Sequence, residues 1–387
     1  MTTLDRYFIA RVIRITAALT GVALLALMLE RMLRVLDLVV NAENLAIQVA
    51  QIMGTLMPHY LGIALPTAFF LGVLLVLQHA SRSNQISALQ SAGASLTRIV
   101  APFMLLAGLL AMISFFLFGV LQPQARYTYR ALTNAVMTET LEAAIRQGAF
   151  VSMGDRTVFA EQSSRSGGNL EQVFVYEQRA AGDDVVLTAP RGVMTRTEYG
   201  MASMIELRDG QTSSFGKDGE LQGQVSFGAL DWTLTASDEG MFRERGADER
   251  EMTISEVWRA LGDAETAEET MMLRAELDGR LARILIVFIL PIFAAPLALN
   301  SGRTEQSAGL AIGLILLITV FELIELGESL VKEGIMPPFL GIWAPLVMFG
   351  ALSVAMFYRV AYTNKEPPLF MASEMIGRIR FLLSKPE

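Results

Sequence analysis

The chain alternates between long apolar runs and one long polar middle section. A helix that crosses a bilayer needs about 20 consecutive, mostly apolar residues, and three such runs precede the middle section while three follow it. We place them at residues 15–38, 60–77, 99–121, 281–299, 308–326 and 342–360. The pattern therefore predicts an α-helical polytopic membrane protein with six transmembrane helices.

The middle section changes to the alternating pattern of β-strands. FVSMGDRTVFAEQ, VFVYEQRA, DVVLTAPRGVMTRT and MASMIELRDG alternate apolar and polar residues between Gly, Asp and Asn turns, which predicts a small antiparallel sandwich or roll. Helical periodicity returns after Thr253, where Thr253 and Ser255 are candidate caps ahead of Glu256. The predicted segments are 1–123 with spans one to three, 124–252 with an inserted all-β domain, 253–362 with connecting helices and spans four to six, and a tail at 363–387.

Composition agrees with a membrane protein and narrows the chemistry. The 387 residues are 52% hydrophobic and 18% charged, with a mean hydropathy of +0.43, which is too apolar for an ordinary soluble chain. The net charge of −8 and the lack of a basic cluster argue against nucleic acid as a partner. The absence of cysteine excludes disulfides and thiolate chemistry, and His59 and His79 are the only imidazoles.

Basic residues indicate the orientation. Cytoplasmic flanks of membrane spans are enriched in Lys and Arg, and such residues occur before span one, between spans two and three, between four and five, and after six. They are Arg6, Arg11, Arg14, Arg82, Arg98, Arg303, Arg359, Lys365, Arg378, Arg380 and Lys385. We therefore expect a retained first helix, both termini in the cytoplasm and the β-domain in the periplasm, although Arg274, Arg280 and Arg283 lie at the opposite end of span four.

No catalytic, metal or nucleotide signature is found. GQTSSFGKD has one residue too many between its glycines for a P-loop and has Asp218 where the Mg²⁺-binding hydroxyl belongs. H-E-x-x-H and G-x-S-x-G motifs are absent from the sequence. We therefore predict no catalytic residues, no metal site and no cofactor, with ATP used only by a partner.

Charges inside predicted spans leave several interpretations open. Arg31 and Arg34 share a face of span one with Glu30 nearby, so they are either headgroup-level residues with an intrahelical Glu30–Arg34 pair, or a wall that binds an anionic lipid. In span five, Glu322, Glu325 and Glu328 form either a proton relay, or interfacial carboxylates that close the helix or pair with Arg on a partner. His59 is expected to lie at the membrane interface. A further alternative is an intramembrane enzyme that uses Glu322 or Glu325 together with His59.

The connection between spans two and three is predicted to be a short amphipathic helix, at about residues 81–98. Ala88, Leu89 and Ala92 fall at helical spacing, Gly93 allows a sharp end, and Ser95 is a candidate cap for the next helix. An apolar face on a cytoplasmic connector predicts docking to a soluble protein.

Together these features resemble the LptF/LptG family, the permease subunits of the lipopolysaccharide export ABC transporter. The resemblance covers nearly the whole chain, and the F-type subunit is the closer of the two. It is carried, in order, by RYFIARVIRIT, ERMLRVLDLVV, LPTAFFLGVLLVLQHASRSNQISALQSAGAS, AELDGRLARILIVFILPIFAAPLALNSGR and KEGIMPPFLGIWAP.

The resemblance implies a bacterial inner-membrane protein with a jelly-roll-like periplasmic domain. Its partners would be an LptG-like paralogous permease, a cytoplasmic LptB-like ATPase dimer and periplasmic LptC/LptA-like jelly-roll proteins. Arg31 and Arg34 would face a lipopolysaccharide cavity between the first and fifth spans of the two permeases. The helix with Gln85, Ala88, Leu89 and Gly93 would insert into the ATPase, although Gln85 stands where the family usually has Glu. The alternatives are the G-type paralogue and a mechanotransmission or signalling protein.

Overall fold

The computed structural model confirms the predicted class, with helices around an inserted antiparallel sheet. It describes residues 3–39, 45–146, 150–153, 156–163, 169–178, 184–196, 203–216, 220–234, 245–299 and 306–363. In this part of the chain, six helices are long and apolar enough to cross a membrane. Arg303 and the predicted tail beyond residue 363 lie outside the described residues.

The helices run longer than the apolar stretches that predict them. They are α1 (Thr3–Val39), α2 (Leu45–Arg82), α3 (Gln85–Ser91), α4 (Leu96–Phe116), α5 (Gln122–Arg146), α6 (Ile254–Asp263), α7 (Ala267–Leu299), α8 (Gln306–Lys332) and α9 (Ala344–Tyr362). One π-helical turn, Leu117–Leu121, joins α4 to α5, and another, Phe339–Trp343, leads into α9. Thr253 caps α6 through a capping box with Glu256, and Ser95 accepts a bond from the backbone N–H of Arg98, both as predicted.

The strands begin later than residue 124, where the sequence pattern places the start of the β-domain. The chain remains helical through Arg146 because α5 continues directly from the π-helical turn, and the first strand starts at Val151. Alternation alone misses this helix, whose composition is polar enough to resemble the following domain. The connection back to the fourth span is helical, as expected, through a 3₁₀ turn at Glu249–Glu251 and α6.

The sheet contains seven described strands, all paired antiparallel in the order β1-β2-β4-β5-β6-β7, with β3 also on β4. They are β1 (Val151–Met153), β2 (Arg156–Phe159), β3 (Gln162–Ser163), β4 (Asn169–Gln178), β5 (Asp184–Arg196), β6 (Ser203–Phe215) and β7 (Leu221–Leu234). Alternate residues form its core, including Val158, Val173, Val175, Ile205 and Leu207.

Irregular residues lie on one line across the middle of the sheet. Gln172 in β4 and Asp209 in β6 have positive φ angles of 49° and 54°, and Pro190 in β5 lies between them in the register, where it has no N–H to donate. Left-handed residues within a ladder bend and twist the strands. A recess lined by Phe159, Gln172, Pro190 and Asp209 lies at this line, which is consistent with a curved, jelly-roll-like sheet.

The chain divides into two compact units. The first consists of Met1–Met28, Met57–Ala125 and Asp248–Glu387, and the second of Leu29–Leu56 and Arg126–Ala247. In the first unit, α7 is central, with 67% of its apolar window buried, followed by α2 with 61%. The windows of α1 and α8 are the least covered, at 17% and 28%. The two outermost helices are therefore the first and fifth spans.

Candidate functional site

The Glu30–Arg34 pair lies on the exposed surface of α1. Arg34 Nη2 lies 2.5 Å from Glu30 Oε1, and the two side chains are 64% and 61% exposed. The pair follows from the i,i+4 spacing in a helix, which brings both groups to one face. A guanidinium this exposed remains accessible to an anionic group, because a solvent-exposed ion pair contributes little energy.

Arg31 has a different environment from Arg34, although the sequence pattern treats the two alike. Its Nη2 donates to the hydroxyl oxygen of Tyr129, in α5, at 3.2 Å, and the contact is partly buried. Nearby, Val35, Ile52 and Val136 form a small buried cluster that holds α1, α2 and α5 together in the second unit. Arg31 is thus fixed by its own chain, whereas Arg34 faces outward.

Leucines extend the exposed surface beside the Glu30–Arg34 pair. Leu29 and Leu33 are each 62% exposed and lie one turn apart on the neighbouring face of α1. A charged strip therefore runs beside an apolar strip. That arrangement fits an amphiphile whose anionic headgroup contacts arginine and whose chains contact leucine.

The predicted connector helix is present as α3, with an outward face different from the one expected. Leu89 packs against the core of the first unit, and Ile86 is buried. The exposed residues are instead small or polar: Ser87, Ala88, Gln90, Ser91 and Ala92. Gln85 is half-buried, and Gly93 ends the helix at a φ of 90°, as its sequence position predicts. The accessible surface of α3 is therefore formed by small and polar side chains, and Leu89 packs on the side of the helix that faces the core.

A buried network of charges joins α7 and α8, and the sequence analysis did not identify it. Arg280 Nε lies 2.8 Å from Glu276 Oε1, with the side chains only 3% and 7% exposed. Lys332 Nζ lies 3.0 Å from Glu276 and 3.1 Å from both Glu328 and Glu249. Arg283 completes the network through an ion pair with Glu328. We call these six residues the charge cluster.

The charge cluster also fixes the chain where it enters α7. Arg280 donates from Nη1 to the carbonyl oxygen of Met252 at 2.6 Å, and from Nη2 to that of Glu249 at 3.2 Å. It thereby satisfies carbonyl groups around the 3₁₀ turn, which a buried backbone requires. The i,i+4 spacings of Glu276–Arg280 and Glu328–Lys332 were the available sequence signal. Arg280 and Arg283, two of the three exceptions to the orientation pattern, are matched by carboxylates of the same chain.

The remaining candidate polar groups are dispersed. Glu322 and Glu325 are exposed on α8, whereas Glu328 belongs to the charge cluster. His59 Nδ1 lies 3.0 Å from Gln122 Nε2, at the junction of the third span with α5. Among the described residues, no group of three or more His, Cys, Asp or Glu side chains is arranged to hold a metal ion.

Comparison with known families decides the class of the protein. The model of the family described as lipopolysaccharide export system permease LptF/LptG matches residues 6–359. The chain belongs to the LptF/LptG family. The match includes all six candidate spans and the inserted sheet, so the resemblance noted in the sequence is confirmed.

Curated LptF/LptG proteins agree with this assignment over nearly their full length. The lipopolysaccharide export system permease protein LptF of Escherichia coli K12 is 22% identical over 356 residues, which are 91% of this chain and 93% of the relative. The LptF protein of Shigella flexneri gives the same values. The chain is thus a multi-pass membrane protein of a family of permease components, a non-catalytic class of transport subunit.

Proposed function

We propose that this chain is the F-type permease subunit of a lipopolysaccharide exporter in the bacterial inner membrane, with cytoplasmic termini and a periplasmic β-domain. The observation that carries the proposal is that the rest of the chain buries some of its membrane spans much more than others. The apolar windows of α1 and α8 are only 17% and 28% buried, compared with 61% for α2 and 67% for α7. Span surfaces that a chain leaves uncovered in the bilayer face either lipid or the helices of a neighbouring subunit. These two helices would face an LptG-like paralogue and enclose the lipid between the two permeases.

Arg34 is the residue we assign to the lipid phosphate, with Arg31 as its supported neighbour. The Arg34 guanidinium is exposed and needs only to leave Glu30 to form a bidentate contact with a phosphate. Arg31 is held by Tyr129 and adds positive charge at a fixed position. Leu29 and Leu33 would contact the acyl chains.

The outward face of α3 is the proposed contact with an LptB-like ATPase dimer. Ala88 and Ala92 allow close approach of a partner groove, while Gln85 and Gly93 lie at the two ends of the helix. Gln85 cannot form an ion pair, so we expect hydrogen bonds and shape to provide the contact. ATP hydrolysis in the dimer would then drive export through motion of this helix.

The β-domain would pass the lipid to LptC/LptA-like jelly-roll proteins. Strand β7 forms one end of the sheet order, and Leu221 and Val225 on it are 56% and 67% exposed. An edge strand of this length provides unpaired backbone groups for a partner strand.

Photo-crosslinking tests the substrate assignment. A photoreactive amino acid is placed at position 34, with position 105, which is exposed on α4 outside the proposed lipid surface, as the control, and adducts are detected with an antibody to lipopolysaccharide. We expect a lipopolysaccharide adduct at position 34 that weakens during ATP turnover, and little or no adduct at position 105. Absence of adducts at both 34 and 31 in an assembled complex would contradict the assignment.

A pull-down tests the ATPase contact separately. Ala88→Trp places a large ring on the outward face of α3, and Thr97→Trp does so at an exposed position just beyond that helix. Loss of the ATPase from the purified complex in Ala88→Trp alone is the expected result. Equal recovery of the ATPase with both variants would rule out this face of α3 as the contact.

A further inference from the structure

Helix α6 has two faces, and the described residues of the chain cover one of them. Its capping box, in which Glu256 accepts from the N–H of Thr253 at 2.7 Å, fixes where the helix begins. Val257 is fully buried and packs with Leu273 and Leu277 of α7. At the edge of this covered face, Trp258 is 69% exposed, beside the exposed Arg259. A tryptophan is rarely left so open on a surface that only water contacts.

The contacts of α6 place its first turn at the end of the membrane spans. A Cβ built on Gly119, in the π-helical turn that ends the third span, would lie 3.0 Å from Ile254 Cδ1. Phe116 and Leu121 flank this point and are 61% and 50% exposed, as part of the apolar surface that faces the bilayer. Leu281, where the apolar run of the fourth span starts, also packs against α6.

The position of the charge cluster also indicates that α6 lies at the end of the membrane spans. Its members on α7 begin at Glu276 and end at Arg283, adjacent to Leu281. Ionic groups are costly in hydrocarbon and accumulate at its boundary. Trp258 lies four residues beyond Ile254, and one helical turn corresponds to about 5.4 Å. The indole therefore lies within about one helical turn of the end of the spans.

We propose that α6 is an interfacial helix whose Trp258 inserts into the phospholipid headgroup layer at this end of the spans. Indole rings favour that layer because their apolar body is buried while the N–H still donates to ester or phosphate oxygens. Arg259, next to Trp258 on the uncovered face, contacts lipid phosphates. The chain thus passes from the inserted β-domain to the fourth span through a helix that is anchored in the bilayer surface. This inference requires only the multi-pass membrane class, and does not depend on the proposed cargo or partners.

Depth-dependent quenching of fluorescence tests the proposal on the full chain. Trp258 is one of three tryptophans, with Trp232 and Trp343, so the difference in emission between the unaltered protein and folded Trp258→Phe isolates its signal. Both proteins are placed in phosphatidylcholine nanodiscs with a nitroxide attached either near the headgroup or near the end of the acyl chain. We expect the Trp258 component to lose roughly twofold more emission to the shallow label than to the deep one.

Two results would overturn the proposal. Quenching of the Trp258 component by aqueous acrylamide but by neither lipid label would place the ring in water. A component protected from acrylamide and from both labels would show that another protein surface covers it. A Trp258→Tyr variant keeps an interfacial aromatic side chain. It should be incorporated into the nanodisc and unfold at the same temperature as the unaltered protein, so it serves as the control for folding.

Discussion

The Glu30–Arg34 pair in α1 and the Glu276–Arg280 pair in α7 have the same spacing and similar separations, 2.5 and 2.8 Å. Their surroundings differ: the side chains of the first pair are 64% and 61% exposed, and those of the second 3% and 7%. An exposed pair contributes about 0–1 kcal/mol to stability, whereas removing one member of a buried pair costs about 3–5 kcal/mol. The comparison shows that burial, and not spacing, separates a pair that is free to bind a ligand from one that holds the fold.

The buried pair is also part of a larger arrangement. Lys332 connects it to Glu328 and Glu249, and Arg280 binds backbone carbonyls that precede α6. Each ion in the charge cluster has partners that replace lost water, which is the condition for burying charge at all. Glu30 and Arg34 are left uncovered by the chain, so they can exchange partners at little cost.

The largest expected effect is from breaking the buried pair. Glu276→Gln keeps the shape of the side chain but leaves Arg280 and Lys332 without their shared carboxylate, so we expect a loss of about 3–5 kcal/mol of stability. Thermal unfolding of the purified protein measures this loss. Glu30→Gln is the matched variant and should change stability by less than about 1 kcal/mol. Equal losses in the two variants would refute the distinction.

A smaller effect is expected from crowding the charge cluster without removing a charge. A Cβ on Gly279 would lie 2.5 Å from Glu328 Oε2, whereas one on Gly21 in α1 would meet nothing within 4 Å. Gly279→Ala should therefore lower stability by about 1–3 kcal/mol, and Gly21→Ala should be neutral or slightly stabilising because alanine favours helix. The same unfolding assay compares them. A stabilised Gly279→Ala would show that the cluster is loosely packed.

The next effect concerns the arginine that α5 holds. Tyr129→Phe removes the hydroxyl that Arg31 contacts, in a partly buried position, and should lower stability by about 1 kcal/mol. Tyr7→Phe removes a similar hydroxyl that accepts from Arg11 at 2.8 Å on an exposed surface, and should have almost no effect. If Tyr129→Phe were as silent as Tyr7→Phe in thermal unfolding, the Tyr129 hydroxyl would not be what fixes Arg31.

The smallest effect is the response to salt. A double-mutant cycle on Glu30 and Arg34 should give a coupling energy of about 0.3–0.5 kcal/mol at low salt, and this coupling should vanish in high salt because exposed charges are screened. The equivalent cycle on Glu276 and Arg280 should give a coupling that salt leaves unchanged. A salt-resistant Glu30–Arg34 coupling would indicate that the pair is less accessible than the structure shows.

The sequence was sufficient for the parts of the fold that depend on local pattern. Apolar runs identified all six spans, alternation identified strands up to β6 but not β7 (Leu221–Leu234), and Thr253 and Ser95 were identified as caps from their residue type and position. The helical stretch Gln122–Arg146 was missed because its polar composition resembles the domain that follows.

The site was less predictable because burial is a tertiary property. Arg31 and Arg34 were grouped by spacing, yet Arg31 contacts Tyr129 of α5 and Arg34 lies exposed beside Glu30. Leu89 was assigned to an outward face, yet it packs inward, because the side of α3 that meets the core depends on α2 and α4. The charge cluster joins residues more than fifty positions apart, such as Glu276 and Lys332, which no local pattern connects.

The most direct test of the account is ATP-dependent release of lipopolysaccharide by the assembled complex in proteoliposomes, with Arg34→Gln compared against Glu30→Gln. Both variants should assemble and unfold at the same temperature as the unaltered protein. The account predicts that Arg34→Gln releases much less lipopolysaccharide to a periplasmic jelly-roll acceptor, while Glu30→Gln, which frees the guanidinium, retains release. Undiminished release by a correctly assembled Arg34→Gln complex would contradict the assignment of this exposed arginine to the lipid.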